Sequence, residues 1–265
     1  MVRGLEIFRE RFRRFEGSFI LIGGAACDQW FADNRLEFRA TKDLDMVLIV
    51  EILDRDFVAA MRAFIKEGAY EIRQRSSGRP ILYRFAKPAS KDFPFMLELF
   101  TRSSEEAELA PGQGIIPVET ASGLQSLSAI LLNNAYYDLI CTQYETRDGL
   151  GFANATALIP LKAHAWLDLT RRRSEGETID SKDIDKHRSD VFLLAATLPE
   201  EPSPLLPEPI LSDLAEFLRA FPEDSPEWSK ILASLAPIFG KGLRPPALRA
   251  AIASFFRLAG SGAEN

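Results

Sequence analysis

Several familiar chemistries are poorly supplied in this sequence. Cysteine occurs twice, at Cys27 and Cys141, and histidine twice, at His164 and His187, in 265 residues. Their spacing fits no zinc-ligand pattern, and two cysteines in so long a chain are no disulfide scaffold, which points to a reducing, cytoplasmic setting. Long apolar runs are missing as well. No stretch approaches the ~18 continuous apolar residues of a membrane span. The opening segment, MVRGLEIFRERFRRFEG, offers no apolar core for a signal peptide. Nor is there an excess of basic charge: 32 Lys and Arg face 38 Asp and Glu, a net charge of −6. A protein that coats nucleic acid needs a basic surface, so that class is disfavoured. An enzyme gripping one RNA end through a local patch stays open.

The chain is rich in core formers, with 46% hydrophobic residues and 19 Phe. Leu5, Phe8, Phe12 and Phe15 recur at helical spacing, and Gly17 stops that helix. Phe19–Ile22 is a short buried strand running into Gly23-Gly24-Ala25-Ala26, where a helix can begin. Residues 43–50 (DLDMVLIV) form a strand, 54–66 an amphipathic helix closed by Gly68, and 81–85 and 95–100 two more strands. GIIPVE at 114–119 reads as a strand, LSAILL at 127–132 as a strand or short helix, and NAYYDLICTQ at 134–143 as a helix. From Pro160, at a favoured first-turn position, the pattern is helical: 161–173, 180–198, then near 210–221, 225–238 and 246–258. A proline-rich connector occupies 199–209, and the tail GSGAEN is expected to be disordered. The expectation is an α+β chain. Residues 1–125 carry a small mixed sheet with flanking helices, and 126–265 form a mainly helical second domain.

Three features carry the chemistry. A strand ends in Gly23-Gly24, where bare backbone and a helix start can approach phosphate. Next, Thr41-Lys42-Asp43-Leu44-Asp45 opens a strand. Alternate strand residues share a face, so Asp43 and Asp45 point one way, and Leu44 and Met46 the other. Two carboxylates at that spacing suit Mg²⁺ or Mn²⁺. Last, Glu98 interrupts the apolar run Phe95-Met96-Leu97-Glu98-Leu99-Phe100, where an acid needs a partner, solvent or a metal. If its strand lies beside the second, Glu98 completes a three-carboxylate cluster.

The order Gly-Gly, then D-x-D, then a later acid on its own strand resembles the nucleotidyltransferase superfamily. Arg39-Ala40-Thr41-Lys42-Asp43-Leu44-Asp45 is similar to the R-x-T-x-D-x-D of the AbiEii and MenT group, toxin components of type IV toxin–antitoxin systems. Leu161-Lys162-Ala163-His164-Ala165 and Ser181-Lys182-Asp183 match that group's later K-x-x-A and K-D motifs. The resemblance covers residues 19 to 198. It departs from the usual pattern at Ala25 and Ala26, which offer no hydroxyl, and at Trp166-Leu167-Asp168, where an Arg is usual.

The resemblance implies a nucleotidyltransferase core that moves a nucleotide from an NTP to a macromolecule, such as a tRNA 3′ end or another RNA. An antitoxin protein would be its partner, and no membrane is involved. Asp43, Asp45 and Glu98 would hold metal, and Asp43, Asp45, Glu98, Lys162 and Asp183 would be catalytic. Gly23, Gly24, Arg39, Thr41, Lys42 and Lys162 would bind the nucleotide, Lys162 at its β- and γ-phosphates. His187 and Asp190 share a helical face with Asp183; His187 is expected to be structural and partly buried, and His164 structural. Arg171, Arg172, Arg173, Lys182, Lys186 and Arg188 form the densest basic stretch, which can receive an RNA end or remain a solvated face. Tyr136-Tyr137 can stack on a base, although core packing is the commoner fate. Two other readings stand beside this one: a nucleotidyltransferase acting on a small cationic drug, and a nucleotide-binding module without catalysis.

Overall fold

The computed structural model describes residues 2–74, 80–102, 115–118 and 127–258. The chain is α+β and falls into two compact units, Met1–Asn154 and Ala155–Asn265.

The first unit opens with α1 (Leu5–Phe12), extended by a 3-10 turn at Arg13–Phe15. Then come β1 (Phe19–Ile22), α2 (Gly23–Asp33), β2 (Asp43–Leu48) and α3 (Arg55–Glu67). Asp54 caps α3 by accepting the Phe57 N–H at 2.7 Å, which satisfies an N–H that the first helical turn leaves free. The strands β3 (Glu71–Gln74), β4 (Pro80–Ala86), β5 (Met96–Arg102), β6 (Ile115–Val118) and β7 (Leu127–Leu132) follow. The unit closes with α4 (Asn134–Thr142), β8 (Tyr144–Arg147) and β9 (Leu150–Ala153).

These strands form one mixed sheet in the order β3-β4-β5-β2-β1-β9-β8, with β7 also paired to β5 and β6 to β7. β1 and β2 are antiparallel, while β2–β5, β5–β7 and β1–β9 are parallel. The sequence reading divides the chain at 125/126, a point outside the described residues. The compact units divide instead after Asn154, because β7 and β9 are hydrogen-bonded into the sheet.

One face of the sheet is the aromatic core. Phe19, Leu21, Leu44, Met46, Leu97 and Leu99 are at most 1% exposed. Phe19 meets Phe8 and Phe12 of α1 edge-on, with ring centroids 5.5 and 6.1 Å apart, and Phe57 of α3 at 5.9 Å. Each fully buried ring contributes about 1.5–3 kcal/mol of transfer free energy, so this layer anchors β1 and β2. Residues of opposite parity in β2 and β5 turn away from it and are only partly buried at Asp43, Asp45, Met96 and Glu98.

The β8–β9 hairpin was not anticipated, although Asp148-Gly149 is a strong hairpin signal. Arg147 pairs with Leu150 across that two-residue turn. Asp148 and Gly149 have φ of 51° and 78°, the left-handed pair that a type I′ turn requires.

The second unit is helical: α5 (Ala155–Ser174), α6 (Ser181–Ala195), α7 (Glu208–Ala220), α8 (Trp228–Phe239) and α9 (Pro245–Phe255). Trp166, Phe192, Phe217, Phe221 and Trp228 form its aromatic centre. Arg249 of α9 donates to the carbonyls of Leu218 and Phe221 where α7 ends, adding to the Phe221 N–H that Leu218 already accepts. Pro160 sits inside α5 rather than at its start, because the helix begins at Ala155, directly after β9 and Asn154. The tail at 260–265 lies outside the described residues.

No helix among the described residues is long and apolar enough to cross a membrane.

Candidate functional site

The antiparallel register of β1 and β2 sets Ile22 opposite Asp45. The chain therefore leaves β1 through Gly23 and Gly24 beside the D-x-D segment. Gly23 has φ +63°, a left-handed conformation that side chains other than glycine's resist. It also makes room. A Cβ on Gly23 would lie 2.0 Å from Asp45 Oδ2, and one on Gly24 would lie 2.5 Å from Thr41 Oγ1. Both glycines thus hold space for a carboxylate and a hydroxyl of the motif.

α2 begins at Gly23, its N-cap residue Ile22 provides no side-chain cap, and its first turn carries no acid. The N-terminal N–H groups and helix dipole of such a turn favour an anion. Asp43, Asp45, Gly23 and Thr41 are partly exposed, and Gly24 is buried. One carboxylate oxygen of Asp43, Oδ1, is withdrawn from solvent. Lys42 is exposed, with Nζ 4.3 Å from the centre of the Phe95 ring, and the Arg39 guanidinium lies 4.6 Å from that of Phe38. Both cations rest on aromatic faces at the edge of the motif, a favourable electrostatic contact.

Glu98 is the in-register neighbour of Asp45 across the parallel β2–β5 pair. Its other neighbour across the sheet is Arg84 of β4. Residues in register share a face, so Asp45, Glu98 and Arg84 form one row. Arg84 Nε donates to Glu98 Oε1 at 2.5 Å, and its Nη2 contacts the same oxygen. Arg84 was missed in the sequence. The available signal was period-2 alternation: Phe85 belongs to the core face at 1% exposure, which turns Arg84 to the carboxylate side.

Among the described residues, no three His, Cys, Asp or Glu side chains are grouped so as to hold a metal ion. The expected three-carboxylate cluster is therefore not assembled, and Glu98 serves Arg84. The donors that remain fit a cation in kind. Mg²⁺ is commonly bound through one or two carboxylates together with substrate phosphates. Asp43 and Asp45 supply two hard-oxygen side chains on one face, and Gly23 leaves the space that Asp45 occupies.

The remaining candidates lie in the second unit or in the core. Lys162 is 5% exposed and its Nζ lies 3.0 Å from Asp190 Oδ2, with Asp190 itself 1% exposed. Asp183 is exposed in the first turn of α6, and Asp180 caps that helix through the Lys182 N–H at 2.9 Å. His187 is half-buried, and His164 is exposed with Nδ1 2.8 Å from Asp213. The arginine run is neutralised locally. Arg171 pairs with Asp168 and Glu175, and Arg172 with Asp168 and Glu177. Hydrogen bonding from Arg172 holds the Glu177 carboxyl below its ordinary range. Arg188 is buried against Asp185 and Glu227.

Tyr136 and Tyr137 are each 2% exposed, so packing claims both rings. The Tyr137 hydroxyl donates to Glu51 at 2.7 Å and accepts from the Val50 N–H; burial, then the hydrogen bond to Glu51, pushes its pKa up.

Comparison of the chain with protein-family models, with curated proteins and with solved structures finds no match.

Proposed function

We propose that the first unit is the catalytic part of a metal-dependent nucleotidyltransferase, which transfers a nucleotide from an NTP to a macromolecular acceptor such as an RNA 3′ end. One observation carries the reading. The Gly-Gly turn and the D-x-D strand are built around each other, with Asp45 and Thr41 filling the space that side chains at Gly23 and Gly24 would take. A phosphate at the start of α2 would then face carboxylates able to hold Mg²⁺ or Mn²⁺. When bound, the metal would neutralise charge on the transferring phosphoryl group. Asp43 and Asp45 would hold it, Thr41 and the turn would orient the phosphates, and Lys42 and Arg39 would add positive charge at the rim. The toxin-like role and an antitoxin partner remain part of this proposal, on the motif resemblance alone.

The test is incubation of the full chain with total tRNA and each labelled NTP in Mg²⁺, comparing wild type with Asp45→Ala. Label transfer that falls at least about 1,000-fold in the variant supports the proposal, as expected when the group holding the catalytic cation is lost. Equal labelling by the variant would refute the site.

The Arg84–Glu98 pair favours a second reading, a nucleotide-binding module without catalysis, because it withholds the third acid. That reading predicts Mg²⁺-dependent NTP binding, lost in Asp45→Ala, with no transfer to any acceptor.

A further inference from the structure

Glu98 has two neighbours of opposite character. On β2 stands Asp45, and on β4 stands Arg84, both in register with it. Adjacent strands are about 4.8 Å apart, so Asp45 and Glu98 stand as like charges on one face of neighbouring strands. Asp43 adds a third acid to that face two residues away. Arg84 supplies the counter-charge, and both of its contacts fall on the single oxygen Oε1. The pair is not sealed: the Arg84 side chain is 32% exposed and that of Glu98 12%. A guanidinium can withdraw into solvent from such a position, whereas a fully buried one cannot do so without a large desolvation cost.

We propose that Arg84 is the resident counter-cation of this carboxylate face and competes with a divalent cation for Glu98. The inference rests on the reading that Asp43 and Asp45 hold a metal. With Arg84 in place, Glu98 is neutralised and a cation finds two carboxylates. When Arg84 swings out, Glu98 becomes a third hard-oxygen donor beside Asp45. Arg84 is a positioning residue on this account: it sets where the Glu98 carboxylate is and what charge the cation meets, and it need not touch substrate.

The test is titration of the full chain with Mn²⁺, following free Mn²⁺ by electron paramagnetic resonance, without nucleotide or acceptor. Arg84→Gln is expected to bind Mn²⁺ about tenfold more tightly than wild type, the affinity equivalent of one modest ion pair. Adding Glu98→Gln to Arg84→Gln is expected to erase that gain. Arg84→Lys keeps the charge but loses the fork, so it should gain less, about threefold; it decides the matter if Arg84→Gln does not fold. An unchanged or weaker Mn²⁺ affinity in the folded variants overturns the proposal, as does a gain that survives Glu98→Gln. Failure of the underlying reading looks different: Asp45→Ala in the Arg84→Gln background would keep its tight Mn²⁺, or the gain would appear as predicted while no labelled NTP is ever transferred.

Discussion

Two ion pairs, one in each unit, join a motif residue to an opposite charge, and they differ in access to water. Lys162–Asp190 is sealed, with side chains 6% and 1% exposed, whereas Arg84–Glu98 is half-open at 32% and 12%. A sealed pair loses hydration on both ions and is held by its mutual attraction. A half-open pair keeps an alternative partner in water. In the sequence, Lys162 stands in a motif whose resemblance implies contact with the phosphates of a nucleotide, whereas no motif marks Arg84. Lys162 has three N–H donors, so a phosphate could share it with Asp190, but at 6% exposure it offers almost no surface to one. Arg84 is open enough to exchange its partner for water.

The largest effect should come from breaking the sealed pair. Asp190→Ala leaves a buried ammonium without its carboxylate and is expected to destabilise the chain by about 3–5 kcal/mol. Chemical denaturation followed by circular dichroism measures this. Replacing both members, as Lys162→Met with Asp190→Leu, should recover most of the loss, because two apolar side chains need no mutual charge. If Asp190→Ala costs less than about 1 kcal/mol, the pair is not sealed in solution and the contrast collapses.

Next in size is Gly23→Ala. The left-handed backbone at Gly23 alone costs a β-carbon about 1–3 kcal/mol, and the added atom would lie 2.0 Å from Asp45 Oδ2. The expected outcome is a loss of about 2 kcal/mol in stability together with loss of Mn²⁺ binding. Stability lost with Mn²⁺ binding intact would make the turn a backbone device and detach it from the carboxylates. Glu98→Gln should be milder, at about 1 kcal/mol, because Arg84 can turn to water once its partner is neutral. A cost equal to that of Asp190→Ala would erase the distinction between the two pairs.

The sites differ in how far the sequence revealed them. Alternation placed Asp43 and Asp45 on one face, because strand parity is a local property; that Glu98 joins that face depends on the pairing of β2 with β5. It also gave the aromatic face of α1 and the order of β1, α2, β2 and α3. The strand order across the sheet was not local. That β5 lies between β2 and β4 depends on pairing between distant segments, and it is this order that gives Glu98 an arginine on one side and an aspartate on the other. The burial of Lys162 was hidden for a related reason: α5 reads as a helix with lysine on an unspecified face until α6 brings Asp190 against it. The β8–β9 hairpin is the opposite case. Asp148-Gly149 is a local hairpin signal, legible from the two residues alone.

The smallest expected effect concerns the arginine run at the end of α5. Arg171 is 60% exposed at the side chain and shares its charge with Asp168, three residues before it, and Glu175, four residues after it. Exposed pairs of this kind stabilise little and are screened by salt. Arg171→Ala should therefore leave the midpoint of chemical denaturation essentially unchanged, at low and at high ionic strength. The informative measurement is RNA binding. Each phosphate contact that a cation makes to a single strand adds about 0.7 to the dependence of log affinity on log salt. With Asp168 and Glu175 held against its guanidinium, Arg171 presents little net positive charge to RNA, so its removal should leave that slope unchanged. A slope reduced by about 0.7 in Arg171→Ala would show that this exposed pair exchanges its partners as Arg84 is proposed to do, and would move the acceptor's grip to the second unit.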